Sequence, residues 1–291
     1  MSHRVAGIGE ILWDRFPDGA RLGGAPANFA FHASQLGASS QIISRIGQDA
    51  DGERLAGLLE ERGLSTQYLQ RDALHRTGIV RVELKEGQPS YVIERPVAWD
   101  FLELTRELKS IAASLDAVCF GTLAQRNAIS RETIQEFIQL CPAKVLRLFD
   151  INLRQDFYTR ETIDFGLSHA TALKLNNEEL YRLAELYGWR PMPDPAVAEI
   201  FKNYSVKWVI LTKGAEGCVI YTREKVVRSE APRVHCVDAV GAGDAFSAAF
   251  VAGFLEGRSL EEIADRANRI GAYVASQPGA MPSLPQEMKS S

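Results

Sequence analysis

From Leu115 onward the chain alternates short apolar runs with helix-patterned segments, and this alternation constrains its fold more than any other feature. Residues 118–121, 145–150, 172–175 and 208–211 read as buried strands, with shorter strands near Val219 and Val226. Between them, helical spacing starts at Ser130 and Asn176, covers about 242–255, and resumes at Ser259 with a capping box to Glu262. Strands followed by helices in this order predict a mainly parallel sheet covered by helices on both faces. Ligands of such sheets bind where strand C-terminal ends meet helix N-termini.

The first half supplies another such unit. Residues 5–12 read as a strand, ending at Trp13-Asp14, with a turn expected at 17–19. Gly23-Gly24-Ala25-Pro26-Ala27-Asn28 then opens a helix with Phe29, Ala30, Ala33 and Leu36 on one face and Gly37 as its stop. Residues 41–46 predict a strand and 51–62 a helix. Residues 77–84 and 91–94 alternate around a turn at 85–89, which predicts a hairpin interrupting the αβ pattern, either a lid or a surface decoration. Gly7 and Gly9 are not followed by the third glycine of a dinucleotide fingerprint, since Leu12 holds that place. A dehydrogenase is therefore disfavoured.

Composition excludes several further classes. The chain has 291 residues, 46% hydrophobic and 24% charged, with a net charge of −4 and scattered Lys and Arg. This suits a globular domain and gives no basic patch for nucleic acid or an anionic membrane surface. No window is apolar enough to span a bilayer and no signal peptide is evident, so the expected location is the cytoplasm. Cys119, Cys141, Cys218 and Cys236 lack metal-site spacing and are expected to be buried thiols. The chain contains no Gly-Lys dipeptide, hence no Walker A loop, and no zinc-protease or serine-hydrolase motif.

Chemistry concentrates in Asp238-Ala239-Val240-Gly241-Ala242-Gly243-Asp244, which runs directly into a helix. Glycines there let backbone N–H groups approach an anion, the helix dipole adds positive charge, and Asp244 stands ready to take a proton. Together with the Gly23–Asn28 turn, about two hundred residues earlier, this stretch resembles the two signatures of the ribokinase/PfkB family of sugar kinases. The resemblance covers nearly the whole chain, as one kinase domain over 1–291 with lid elements at about 12–22 and 77–100. It implies a Rossmann-type α/β fold with a small β-sheet lid, ATP and Mg2+ as cosubstrate and cofactor, and phosphoryl transfer to a primary hydroxyl of a sugar.

The resemblance also implies roles for individual residues. Asp244 matches the catalytic base, and Gly241, Ala242 and Gly243 match the anion hole. Asp14, Gly24, Asn28 and Arg154 match sugar-binding positions. Asn176 and Glu179 match an Asn-x-x-Glu element that positions Mg2+ and phosphates through water, although the same pair also reads as a helix capping box. Thr212, Gly214, Gly217 and Asn268 match nucleotide-binding positions. Asp238 and Val240 match a monovalent-cation site, here beside Ala239 where a hydroxyl or β-branched residue is usual, which leaves K+ activation open. The first turn and Asp150-Ile151-Asn152-Leu153-Arg154 are most similar to bacterial fructokinases, which implies fructose phosphorylated at its 6-hydroxyl. The alternatives are 2-keto-3-deoxygluconate, whose carboxylate Arg154 could meet, ribose or another sugar, and a non-catalytic sensing relative. A homodimer through the lid is a further expectation.

Overall fold

A computed structural model of the chain describes residues 2–16, 19–85 and 88–289. Of the turns expected at 17–19 and 85–89, residues 17–18 and 86–87 lie outside the described residues, while Gly19, Lys85, Gln88 and Pro89 belong to strands. In chain order the elements are β1 (Arg4–Ile8), β2 (Leu12–Phe16), β3 (Gly19–Gly23), α1 (Ala25–Gln35), β4 (Ser39–Gly47), α2 (Ala50–Glu61) and β5 (Leu69–Asp72). The hairpin β6 (Gly78–Lys85) and β7 (Gln88–Ile93) follows, then α3 (Arg106–Ala112), β8 (Ala117–Phe120), α4 (Ala128–Leu140), β9 (Leu146–Asp150) and α5 (Arg160–His169). The remainder is β10 (Ala172–Asn176), α6 (Asn177–Tyr187), α7 (Pro193–Asn203), β11 (Trp208–Thr212), β12 (Cys218–Tyr221), β13 (Val226–Ser229), α8 (Ala242–Leu255), α9 (Leu260–Ala275) and α10 (Gln286–Lys289).

Nine strands form the main sheet in the order β13-β12-β11-β10-β9-β8-β1-β4-β5. From β11 to β5 all neighbours are parallel, while β12 and β13 add antiparallel strands at one edge. Alternation along each strand feeds two cores. Phe120, Phe149 and Leu173 point to one face, while Ala117, Cys119, Leu148 and Ala172 point to the other, beneath α8 and α9. The doubly wound architecture predicted from the strand-helix alternation is therefore the observed one.

A second sheet, β3-β2-β6-β7, stands apart from the first. Its two hairpins are antiparallel, and β2 joins β6 in parallel, so the sheet is mixed where the sequence predicted only an antiparallel hairpin.

Several elements differ from the sequence expectation. α1 buries every residue from Pro26 to Ala33, not one face, because it is wedged between β1, β4 and α8. α4 begins at Ala128 under an Asn127 cap, two residues before the expected Ser130. The helices α3, α5 and α7 were not anticipated, and the tail after Pro285 carries the short α10. Cys119, Cys141 and Cys218 are buried thiols as expected, but Cys236 is exposed, since it lies in a coil segment off the sheet.

Glycine sets how closely α1 and α8 seat. A Cβ at Gly7 on β1 would overlap the Pro26 backbone, and one at Gly253 would lie 2.9 Å from Ile263 Cγ1 between α8 and α9. Gly7→Ala should therefore lower the unfolding free energy by about 1–3 kcal/mol through overpacking. Gly57→Ala, on α2 with open space around it, should raise it by about 0.5–1 kcal/mol. Urea unfolding of both variants measures the contrast.

Candidate active site

At the C-terminal edge of the parallel strands the two glycine turns meet. Gly24 adopts φ 111, and a Cβ there would lie 2.6 Å from the Glu10 carbonyl oxygen, so only glycine allows α1 to start this close to the end of β1. One turn into α1, Asn28 Nδ2 donates to Asp244 Oδ2 at 2.7 Å, joining residues 216 positions apart. The Asn28 side chain is buried, yet its Oδ1 has no protein partner. A buried acceptor left open in this way calls for a donor from a ligand.

α8 starts at Gly241 in the left-handed region (φ 80), and no side chain caps it. Ala242 N–H donates to the Ala239 carbonyl at 3.4 Å, and the N–H groups of Gly243 and Asp244 are left to the cleft. Gly241 packs on Ala280, where a Cβ would come 2.6 Å from the carbonyl oxygen. In this first turn the Asp244 carboxyl is pushed up to about 6 by burial and by the negative charge of Asp150. Lys174, the Asn28 hydrogen bond and Arg154 pull it partly back. At neutral pH the group is an ionised carboxylate basic enough to accept a proton.

Beneath the turn lies a buried charge pair. Lys174 Nζ donates to both Asp150 oxygens at 3.0 and 2.8 Å, and Ser247 Oγ donates to Asp150 Oδ2 at 2.9 Å. A Cβ on Gly243 would stand 3.1 Å from Lys174 Nζ, so the ammonium lies directly under the α8 N-terminus. Burial alone would push Lys174 down, but Asp150, Glu179 and Asp244 outweigh it and hold the ammonium above its ordinary range.

Acids and one cation surround this floor. Asp14, on β2, is pushed up to about 6 by burial, opposed by Arg154. A Cβ at Gly23 would overlap its carboxylate. Glu10, fully enclosed after β1, is pushed up to about 7, burial again being the main cause and Asp244 adding to it. Arg154 follows a loop in which Asn152 and Gln155 have φ of 44 and 49. Among the described residues its guanidinium donates to the Leu153 carbonyl, at 3.2 Å, while its field reaches Glu10, Asp14, Asp244 and Glu179. Among the described residues, no carboxylate forms an ion pair with it, which leaves its donors for a ligand.

Asn176 and Glu179 form a complete capping box: Glu179 N–H donates to Asn176 Oδ1 at 2.9 Å, and Asn176 N–H donates to Glu179 Oε2 at 2.8 Å. Glu179 Oε1 also accepts from Leu153 N–H at 3.0 Å, so the residue ties α6 to the Arg154 loop. Thr212 ends β11, and Gly214 and Gly217 (φ 58 and 94) shape the turn into β12. Asn268 is buried on α9, and its Nδ2 donates to the Ser229 carbonyl and hydroxyl. Its Nδ2 is thus engaged within the protein. Asp238 accepts from Val240 N–H and Gly279 N–H and faces Arg21 of β3 at 3.6 Å.

The structure thus brings Asp14, Gly24, Asn28, Arg154, Glu179 and Asp244 around one cleft. The sequence analysis singled out none of Glu10, Lys174 and Ser247. The signal for Lys174 was present: a lysine in the middle of Ala172–Asn176, a strand otherwise buried on both faces, must have a partner. Glu10, the acid closing the first apolar run, carried a weaker one.

The sequence matches the pfkB family carbohydrate kinase profile over residues 19–287. It is 33% identical to a fructokinase from Escherichia coli, with 100% of this chain and 99% of the relative covered. A fructokinase from Vibrio cholerae O395, solved with fructose, ADP and calcium ion bound, superposes with a TM-score of 0.84 at 26% identity over 99% of this chain and 98% of that one. A fructokinase from Xylella fastidiosa with bound ATP shares the fold, with a TM-score of 0.88 at 23% identity over 100% and 98% of the two chains.

Because Lys174 and Asp150 are both buried, breaking the pair strands a charge. Lys174→Met should cost about 3–5 kcal/mol of stability, and Lys174→Met combined with Asp150→Leu should recover much of it. A double-mutant cycle by urea unfolding checks both outcomes.

Proposed function

This chain belongs to the pfkB family of carbohydrate kinases, and from that premise we propose that it transfers the γ-phosphoryl group of ATP to the 6-hydroxyl of fructose. The observation that carries the reading is the Asn28–Asp244 hydrogen bond. It sets a proton acceptor beside a buried, unanswered oxygen, Asn28 Oδ1, as a sugar hydroxyl donor requires. The fructose reading is supported by the 33% identity to a fructokinase along the full chain.

In this mechanism Asp14 and Asn28 grip sugar hydroxyls and point one of them at Asp244. Asp244 takes its proton as the bond to phosphorus forms, because an un-ionised hydroxyl is a weak nucleophile. Amides of Gly241, Ala242 and Gly243 hold negative charge on the transferred group, and the Lys174 ammonium beneath them adds a fixed positive field without touching it. Arg154 contributes a second positive charge from the open side.

No group of three or more His, Cys, Asp or Glu side chains suited to a metal occurs among the described residues. Both oxygens of Glu179 already accept backbone N–H groups. This donor set fits Mg2+ carried by the nucleotide phosphates, with Asn176 and Glu179 reached through water. The ion neutralises phosphate charge when bound. Thr212, Gly214 and Gly217 are the proposed nucleotide-side turn. A potassium site at Asp238 and Val240 fits less well, since Asp238 already holds two backbone N–H groups and faces Arg21. We therefore propose that turnover needs no monovalent cation. The small sheet β3-β2-β6-β7 carries Asp14 and is proposed to close over the sugar.

Asp244→Asn should lower kcat by about 10²–10⁴-fold with sugar and ATP binding retained; turnover within a few-fold of the parent would remove Asp244 from this role. Because Asp244 must be ionised and its carboxyl stands at about 6, kcat/KM should fall about tenfold per pH unit below that point. An ADP-release assay should show fructose preferred over ribose, tagatose and 2-keto-3-deoxygluconate. The same assay in tetramethylammonium chloride in place of potassium chloride should give rates equal within about twofold.

A further inference from the structure

Outside the catalytic cleft, a second cleft of about 280 Å³ opens between α2, the small sheet and the turn at 278–281. It is lined by three arginines, Arg21, Arg54 and Arg62, together with Trp13, Gly279 and Ala280. In a chain of net charge −4 this is an unusual local excess of positive charge. Arg54 lies 4.8 Å from the Trp13 ring centroid and Arg62 5.9 Å from that of Phe31. Each thus stands over an aromatic ring. Neither forms an ion pair with a carboxylate among the described residues, and of the acids of α2, Asp51 pairs with Arg15 at 2.6 Å and Glu53 with Arg71 at 2.7 Å.

We propose that this cleft is a regulatory anion site that binds a phosphate group, either inorganic phosphate or the phosphate of a small metabolite. Guanidinium forks match phosphate oxygens in geometry and charge, and the cavity has room for a phosphate and a short carbon chain. The site is wired to the anion hole by contacts already described. Arg21 faces Asp238 at 3.6 Å, Asp238 accepts from Gly279 N–H, and Gly241 rests on Ala280. An anion in the cleft competes with Asp238 for Arg21 and loosens the turn on which Gly241 sits. Occupancy therefore slows phosphoryl transfer without blocking sugar or ATP.

The test uses the full chain and two probes, inorganic phosphate and 3-phosphoglycerate. The variant Arg54→Met/Arg62→Met keeps the aliphatic packing and leaves the catalytic cleft untouched. Titration calorimetry should find a binding event in the parent that weakens at least about tenfold in the variant. Tighter binding of 3-phosphoglycerate would identify the occupant as a phosphorylated metabolite, and equal or weaker binding would identify it as phosphate itself. In initial-rate assays the tighter probe should lower kcat of the parent by about fivefold, noncompetitively with sugar and ATP, and leave the variant unaffected. Equal binding by parent and variant, or inhibition that is purely competitive with ATP, would overturn the site. The calorimetric arm needs no turnover, so its outcome is separate from that of the kinase reading.

Discussion

The Lys174 ammonium, sealed under the N-terminus of α8 and held by both oxygens of Asp150, is the interaction on which the active edge depends. A charge in the middle of a parallel sheet is tolerable only when its partner is equally fixed. Asp150 is fixed by its position at the end of β9 and by the Ser247 hydroxyl. The pair therefore locks three elements together, β9, β10 and α8. It also sets the field in which Asp244 works, Asp150 raising the proton affinity of the neighbouring carboxyl and Lys174 lowering it.

The layout around that pair separates tasks by material. In the proposed mechanism, main-chain groups at helix starts face anionic substrate, because glycine lets them approach and the helix dipole favours negative charge. Burial keeps the carboxyls of Asp14, Glu10 and Asp244 less acidic than usual, with added negative charge from Asp238, Asp244 and Asp150 respectively. Arg154 is the counterweight from the loop after β9, a single mobile-length cation facing several acids.

The parallel sheet, the two glycine turns and the Asp244 helix were legible because each has a local signature: apolar runs alternating with helical spacing, paired glycines, and phenylalanines at one-turn spacing. α8 was read to its observed bounds of Ala242–Leu255. The mixed pairing of the small sheet was not legible, since the parallel β2–β6 contact joins residues 66 positions apart and leaves no periodic mark. Lys174 and Glu10 went unread for a related reason: a charged residue in an apolar run is informative only once its partner's position is known. Asn268, matched to a nucleotide-binding position, also has a structural use that the sequence did not show: its amide holds α9 against Ser229 of β13.

α1 is enclosed on all sides, its Pro26 backbone pressed on Gly7 with no space for a methyl group. Asn28 therefore occupies a place that is settled before any substrate arrives. Adaptation to different acceptors must come from parts of the wall outside this helix, namely the small sheet and the Arg154 loop. Change of substrate preference among proteins built this way should track residues on those two segments, while α1 acts as a datum from which the acceptor hydroxyl is measured.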